Sequence, residues 1–301
     1  MKVLISTSTF GQFNNEPLQI LYDAGLEVIN NPYNRKITQN ELISLVRGVD
    51  GVIAGLEEYN NKILSISNLK TISRCGSGVS NIDMESAEKL GIRVYNTPEG
   101  PTQSVAELTL GCCLSLIRNV PYVNKRMHEG SWDKITGNLL SGMTVLIIGY
   151  GRIGKLFSKI INEIGAKILI HDPFISKKEI PNFVKRVELM EGLKLSDIIT
   201  LHNSGDTMIL GESEFSIMKQ GVYILNSARG GIIDEDALMD ALNSGKVSGA
   251  WLDTFSEEPY YGKLSQFQQV ILTPHIASYT KEGRYSMEIQ ASKNLILGLN
   301  I

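Results

Sequence analysis

The chain has four histidines, and one of them, His275, sits in the stretch ILTPHIAS (271–278), directly after a proline and just past a short apolar run. Two other polar stretches also follow apolar runs. In NSARGGIIDEDAL, Arg229 precedes two glycines, and LDTFSEEP carries Asp253, Glu257 and Glu258. These residue types suit one kind of chemistry. An imidazole can give and take a proton near neutral pH. An arginine fork matches the planar geometry of a carboxylate. A carboxylate beside an imidazole fixes its tautomer and favours its charged form. Together they would serve proton transfer at a small carboxylic acid. The blander readings are a surface arginine that ends a strand, a solvated acidic turn, and a polar residue that closes a strand. Glu257 is assigned to the solvated turn.

A second set of residues points to a cofactor. The apolar run TVLIIG leads into GYGRIG, with Gly149, Gly151 and Gly154, and a helical pattern follows. The next apolar run, KILIHD, ends in Asp172, 18 residues after Gly154. Gly149 would permit the tight turn, Gly151 the approach of a pyrophosphate, and Gly154 the close packing of helix on strand. The helix N-terminus offers unpaired N–H groups and a positive dipole end to phosphates. Asp172 would accept hydrogen bonds from the ribose hydroxyls and repel a 2′-phosphate, which favours NAD over NADP. Arg152, inside the fingerprint, is assigned to the pyrophosphate. A glycine-rich turn that binds nothing is the alternative, but strand, helix and acid all fall in register for the dinucleotide. With NAD as partner, the proton chemistry becomes hydride transfer to or from a hydroxy acid.

The elements that must hold these residues alternate strand and helix through most of the chain, which predicts parallel α/β architecture. KVLIS, LEVI, GVIAG, TISR and IRVYN are the early strands, and NTPEGP (96–101) is the expected crossover between two domains. A helix is expected from about Gln103 to Arg118 and another over the last 20 residues or so. Length suits two domains, and 43% hydrophobic and 20% charged residues fit an ordinary globular protein. A net charge of −3 argues against nucleic acid or an anionic membrane as main partner. No apolar run reaches membrane-spanning length. Cys75, Cys112 and Cys113 lack metal or redox spacing, so no metal site is expected and reduced thiols in the cytoplasm are.

GYGRIG, NSARGGIIDEDAL, LDTFSEEP and TPHIAS, with RCGSGVSNID (74–83) and VYNTPEGPTQSVAELTLG (94–111), resemble the signature stretches of the D-isomer-specific 2-hydroxyacid dehydrogenases, in particular the D-3-phosphoglycerate dehydrogenase branch. The resemblance covers nearly the whole chain. It implies a Rossmann-type doubly wound NAD-binding domain over residues 99–278. It also implies a discontinuous, flavodoxin-like substrate domain over 1–98 and 279–301, with the active site in the cleft between. Carried over by position, Arg229 would hold the substrate carboxylate, Glu258 would partner the histidine, and His275 would be the acid–base. Asp253 would stand near the nicotinamide carboxamide, with His202, Ala228 and Ile153 also on the cofactor. Gly76, Ser77 and Gly78 would offer backbone N–H groups to the substrate, with Arg74 and Lys134 as further cations. His171 would line the adenosine side, His128 would be an exposed or interfacial helix residue, and Cys75 would serve packing.

The implied partner is a small 2-hydroxy or 2-oxo acid, most of all 3-phosphoglycerate and 3-phosphohydroxypyruvate. Glyoxylate or hydroxypyruvate reduction is the alternative, and an NAD-binding corepressor-like regulator is the alternative of another class. A homodimer formed around the nucleotide-binding domain and an arm near Trp132 is implied as well. Some positions depart from the family pattern. Asn203 and Ser204 follow His202 where a residue and then proline are usual, in a shortened loop. Pro101 replaces a common asparagine, and Gly55-Leu56 stands where the phosphoglycerate branch often has arginine. The chain stops soon after its last helix, so serine feedback through a C-terminal regulatory domain is not expected.

Overall fold

The computed structural model describes all residues, 1–301. Twelve strands form two parallel sheets. The first sheet contains β1 (Lys2–Ile5), β2 (Glu27–Asn30), β3 (Gly51–Ala54), β4 (Thr71–Arg74) and β5 (Arg93–Asn96), in the order β2-β1-β3-β4-β5. The second contains β6 (Thr144–Ile148), β7 (Lys167–His171), β8 (Val184–Arg186), β9 (Ile198–Leu201), β10 (Val222–Asn226), β11 (Val247–Leu252) and β12 (Val270–Leu272). Its order is β12-β11-β10-β9-β6-β7-β8. The chain divides into two compact units, Met1–Thr102 with Ser278–Ile301, and Gln103–Ala277.

The strand sequences account for the layering. A parallel sheet needs helical crossovers, which cover both faces, so its central strands must be apolar throughout. In the seven-stranded sheet Leu146, Ile148, Ile199, Leu201, Ile224 and Leu252 pack into one core. Their alternates Val145, Ile147, Ile198, Leu225 and Trp251 pack into the other. The five-stranded sheet repeats this, with Leu4, Val52 and Ile72 on one face and Val3, Ile5 and Ile53 on the other.

The second of those faces explains why the C-terminus belongs to the first unit. Helix Lys281–Leu299 buries Met287, Ala291, Leu295 and Leu299 against it. Within this helix Arg284 and Glu288 form a buried ion pair, Nη2 to Oε1 2.6 Å, and the other carboxylate oxygen accepts the Gly11 N–H at 3.0 Å.

In the seven-stranded sheet, β7 and β8 lie to one side of β6 and β9 to β12 to the other. Strand order therefore reverses at β6 and β9, and ligands collect outside the carboxyl ends of strands at such a switch point. The three-residue β8, which the sequence reading omits, pairs with β7 at the sheet edge. Its residues VKR carry too little apolar sequence to signal a strand.

Candidate active site

The glycine turn after β6 is shaped by close approach on one side and open space on the other. Gly149 has φ +90°, and a Cβ there would lie 2.5 Å from the Asn203 nitrogen. Gly154 meets the Gly149 carbonyl so closely that any Cβ would collide with it. At Gly151 a Cβ would meet nothing within 4 Å, so the backbone at this helix start faces open space. Helix Arg152–Ile164 begins there, burying Gly154, Phe157 and Ile161, and ends at Gly165 in the left-handed region. Arg152 is exposed in its first turn, while Ile153 is half-buried against the core.

Asp172, just past β7, closes this cradle. Its two carboxylate oxygens accept the Tyr150 N–H at 2.8 Å and the Phe174 N–H at 2.9 Å. Each oxygen keeps a lone pair for a further donor.

A dinucleotide lying along this edge needs unmet polar groups, and the edge supplies them. His202 Nδ1 and Asn203 Oδ1 after β9, Ser227 Oγ after β10 and Thr254 Oγ1 after β11 are buried without a hydrogen-bond partner. Buried polar atoms are nearly always paired in folded proteins. Four orphans at three adjacent strand ends, beside a cradle with room above Gly151, fit a bound NAD. The His202 ring is fixed through Nε2 to Thr200 Oγ1 at 2.9 Å, and burial pushes its pKa down to about 3. It therefore stays neutral, able to donate or accept one hydrogen bond.

The loops after β10, β11 and β12 carry the candidate residues Arg229, Glu258 and His275. His275 Nδ1 lies 2.9 Å from Glu258 Oε2, and Glu258 Oε1 accepts the Phe255 N–H at 3.1 Å. His275 itself has φ +54°, a backbone region costly for any residue with a Cβ. Such strain persists only where the surroundings hold it. Asp253 does the holding. Fully buried, it accepts Thr273 Oγ at 2.5 Å and the backbone N–H of Ile276 and Ala277 at 2.9 and 2.8 Å. Asp253, expected near the nicotinamide carboxamide, thus anchors the histidine loop.

Arg229 directs Nη1 to the Ala228 carbonyl at 2.7 Å, and its Nε lies 3.6 Å from Asp206 Oδ1. Ala228 is buried in a turn pinned by Asn226, whose side chain accepts the Ala228 N–H and donates to the Arg229 carbonyl. The Gly230 backbone presses on Phe255 and Ser256 so tightly that no side chain fits. That contact ties the arginine loop to the loop of Glu258. Asn226, Gly230, Thr273 and Asp206 were not singled out from sequence, although the glycine beside Arg229 was a readable signal.

In the five-stranded unit one expectation needs correction. The Gly76 N–H does not face outward, because it donates to the buried Thr97 Oγ1 at 2.7 Å. Ser77 and Gly78 are left to present N–H groups. Gly76 has φ +145°, and Arg74 lies over it, with Nη1 donating to the Cys75 carbonyl; any Cβ at 76 would strike the guanidinium. Lys134 is exposed after helix Val120–His128 and makes none of the bonds that fix the other candidates. His171 places Nδ1 3.3 Å from the Val187 carbonyl, and the three thiols are buried.

A doubly wound parallel sheet thus carries a glycine turn shaped as a dinucleotide cradle, with histidine and carboxylate on other loops of the same edge. The profile of the "D-isomer specific 2-hydroxyacid dehydrogenase, NAD binding domain" matches residues 110–277, and the chain belongs to that family. It is 37% identical over 294 residues to the D-3-phosphoglycerate dehydrogenase of Homo sapiens, covering 94% of this chain and 54% of that one. With the hydroxypyruvate reductase of Thermotoga maritima it shares 36% over 276 residues, covering 88% and 90%. The solved structure of the TT0316 protein from Thermus thermophilus superposes with a TM-score of 0.90 at 30% identity, covering 100% and 97%. The chain spans about half the length of the phosphoglycerate dehydrogenases it matches. No helix is long and apolar enough to cross a membrane.

Proposed function

We propose that the protein catalyses NAD-dependent hydride transfer between a small D-2-hydroxy acid and its 2-oxo acid. The observation that carries this reading is the 2.9 Å contact of His275 with Glu258, on the same sheet edge as the glycine cradle. Glu258 holds Nδ1–H, which fixes the tautomer and leaves Nε2 to exchange the hydroxyl proton. Glu258 also stabilises the imidazolium formed when His275 removes that proton. Arg229 grips the substrate carboxylate, and the exposed Asp206 gives way to it. An exposed pair of this kind is held only weakly. Gly151 lets the pyrophosphate approach the helix start, Gly149 and Gly154 hold the turn that makes this possible, and Asp172 takes the ribose hydroxyls. NAD, when bound, supplies the hydride acceptor and donor at its nicotinamide.

Two finer substrate readings have support. 3-Phosphoglycerate is supported by the human relative's name, and hydroxypyruvate by that of the Thermotoga relative, whose length the chain nearly spans. A homodimer in the cytoplasm is part of the proposal. Trp132 and Leu139, 78% and 74% exposed on one irregular segment, are apolar surface that a second copy would cover. The three buried free thiols suit a reducing compartment.

The test is loss of NADH absorbance with a panel of 2-oxo acids: 3-phosphohydroxypyruvate, hydroxypyruvate, glyoxylate and pyruvate. Turnover of at least one is expected. Tight NADH binding with turnover of none would overturn the enzymatic reading and leave a regulatory NAD-binding role.

A further inference from the structure

The five-stranded unit contains a buried polar group that the hydride-transfer scheme leaves unused. At the carboxyl end of β3, Gly55 has no side chain, and the space a Cβ would enter is filled by the Glu57 carboxylate, 2.8 and 3.2 Å from that position. Glu57 is 3% exposed. Its Oε2 accepts Ser6 Oγ at 2.8 Å and the Gly55 N–H at 2.9 Å. Tyr59, fully buried, donates to Ser6 Oγ at 3.1 Å, so one carboxylate oxygen is committed to this chain of bonds. Oε1 takes no hydrogen bond from the chain.

Beside it, at the end of β1, Thr7 is 9% exposed, and its Oγ1 is buried with no partner. Its methyl lies 3.3 Å from the same Gly55 position. Asn81 joins this corner to the loop of Ser77 and Gly78, donating to the Gly55 and Glu57 carbonyls at 3.1 and 2.6 Å. An uncommitted carboxylate oxygen and an orphaned hydroxyl thus sit together beside the loop assigned to the substrate.

We propose that Thr7 and Glu57 form the subsite for the substrate's C3 end, and that it takes a hydroxyl group and turns away a phosphate. This rests on the reading of the protein as a 2-hydroxy acid dehydrogenase, and it selects within it glycerate and hydroxypyruvate over their 3-phosphorylated forms. A C3 hydroxyl donates to Glu57 Oε1 and accepts from Thr7 Oγ1, which satisfies both groups. A phosphate brings charge of about −1.5 to −2, and its dianion has acceptor oxygens with no donor. Carboxylate is likewise acceptor-only. The contact would pair two anions with no proton between them, in a corner where solvent screening is poor. Sites that hydrogen-bond a substrate hydroxyl reject analogues lacking it because the site's own polar groups are stranded.

The experiment compares the wild-type protein with Glu57→Gln, which keeps the shape and the bonds to Ser6 and Gly55, and with Thr7→Val. Calorimetry on the NADH-loaded protein measures binding of D-glycerate and 3-phospho-D-glycerate. NADH oxidation measures kcat/KM for hydroxypyruvate and 3-phosphohydroxypyruvate. The wild type is expected to favour the unphosphorylated member of each pair at least about 100-fold. Glu57→Gln should shrink that preference at least tenfold by raising acceptance of the phosphorylated ligand. Thr7→Val should weaken only the unphosphorylated one. Preference for the phosphorylated ligands in the wild type would overturn the proposal. So would a Glu57→Gln variant in which both members change by the same factor, the mark of a structural role. Binding preference without any turnover would uphold the subsite and remove the enzymatic reading.

Discussion

At the carboxyl edge of the seven-stranded sheet the chain leaves several buried polar atoms unmet, on His202, Asn203, Ser227 and Thr254. At the corresponding edge of the five-stranded sheet, Ser6, Glu57, Tyr59 and Asn81 are bonded to one another and Gly76 to Thr97, and the Thr7 hydroxyl beside them is left unmet. The first edge is built around backbone: glycines where a ligand must approach, and short loops braced by Asp172 and Asn226. The second is built around side chains. The difference follows from what each would receive. A dinucleotide is one fixed shape that backbone geometry can be made to fit. The variable end of a substrate must be recognised by the charge and donor pattern of particular side chains.

The backbone-built edge should break most sharply on the smallest change. Gly149→Ala puts a Cβ at φ +90° and 2.5 Å from the Asn203 nitrogen, so the turn has to move. Fluorescence titration should show the NADH dissociation constant rising about 100-fold, equivalent to about 2.7 kcal/mol. A change under threefold would mean that the turn is not the cradle.

Glu288→Ala probes the other unit by stranding Arg284, whose side chain is 7% exposed. Removing one partner of a buried pair costs about 3–5 kcal/mol. Urea unfolding should show a loss of that size while NADH affinity in the second unit is unchanged. Stability within 1 kcal/mol of wild type would mean water reaches the pair.

The smallest effect is pH-dependent and belongs to His202, held neutral with a pKa of about 3 by burial. An unfolded histidine takes up a proton near pH 6.5 and the folded one does not. Its contribution to stability is therefore full above pH 6.5 and is lost as pH falls toward 3, by up to about 1.4 kcal/mol per pH unit. His202→Gln should flatten the decline in urea midpoint between pH 7 and 5. Parallel curves for variant and wild type would place the ring in contact with water.

The same contrast explains what could be read from sequence. The parallel sheets and the glycine turn were legible because apolar runs and backbone requirements are local. The three loops around Arg229, Glu258 and His275 were legible through their resemblance to a family, since nothing in the spacing of 258 and 275 states that their side chains meet. What escaped depended on which donor captures which acceptor. Asp253 spends its carboxylate on Thr273, Ile276 and Ala277, and Gly76 gives its N–H to Thr97. Glu57 reads in sequence as one of two acids in a loop, AGLEEYNN, and only the fold shows it folded back over Gly55.

The proton-transfer role of His275 is the claim on which the rest depends. It is tested most directly by steady-state kinetics of His275→Ala, with NADH affinity measured on the same preparation. kcat for the best 2-oxo acid should fall at least about 100-fold while the NADH dissociation constant stays within twofold of wild type. A kcat within fivefold of wild type would remove His275 from the reaction.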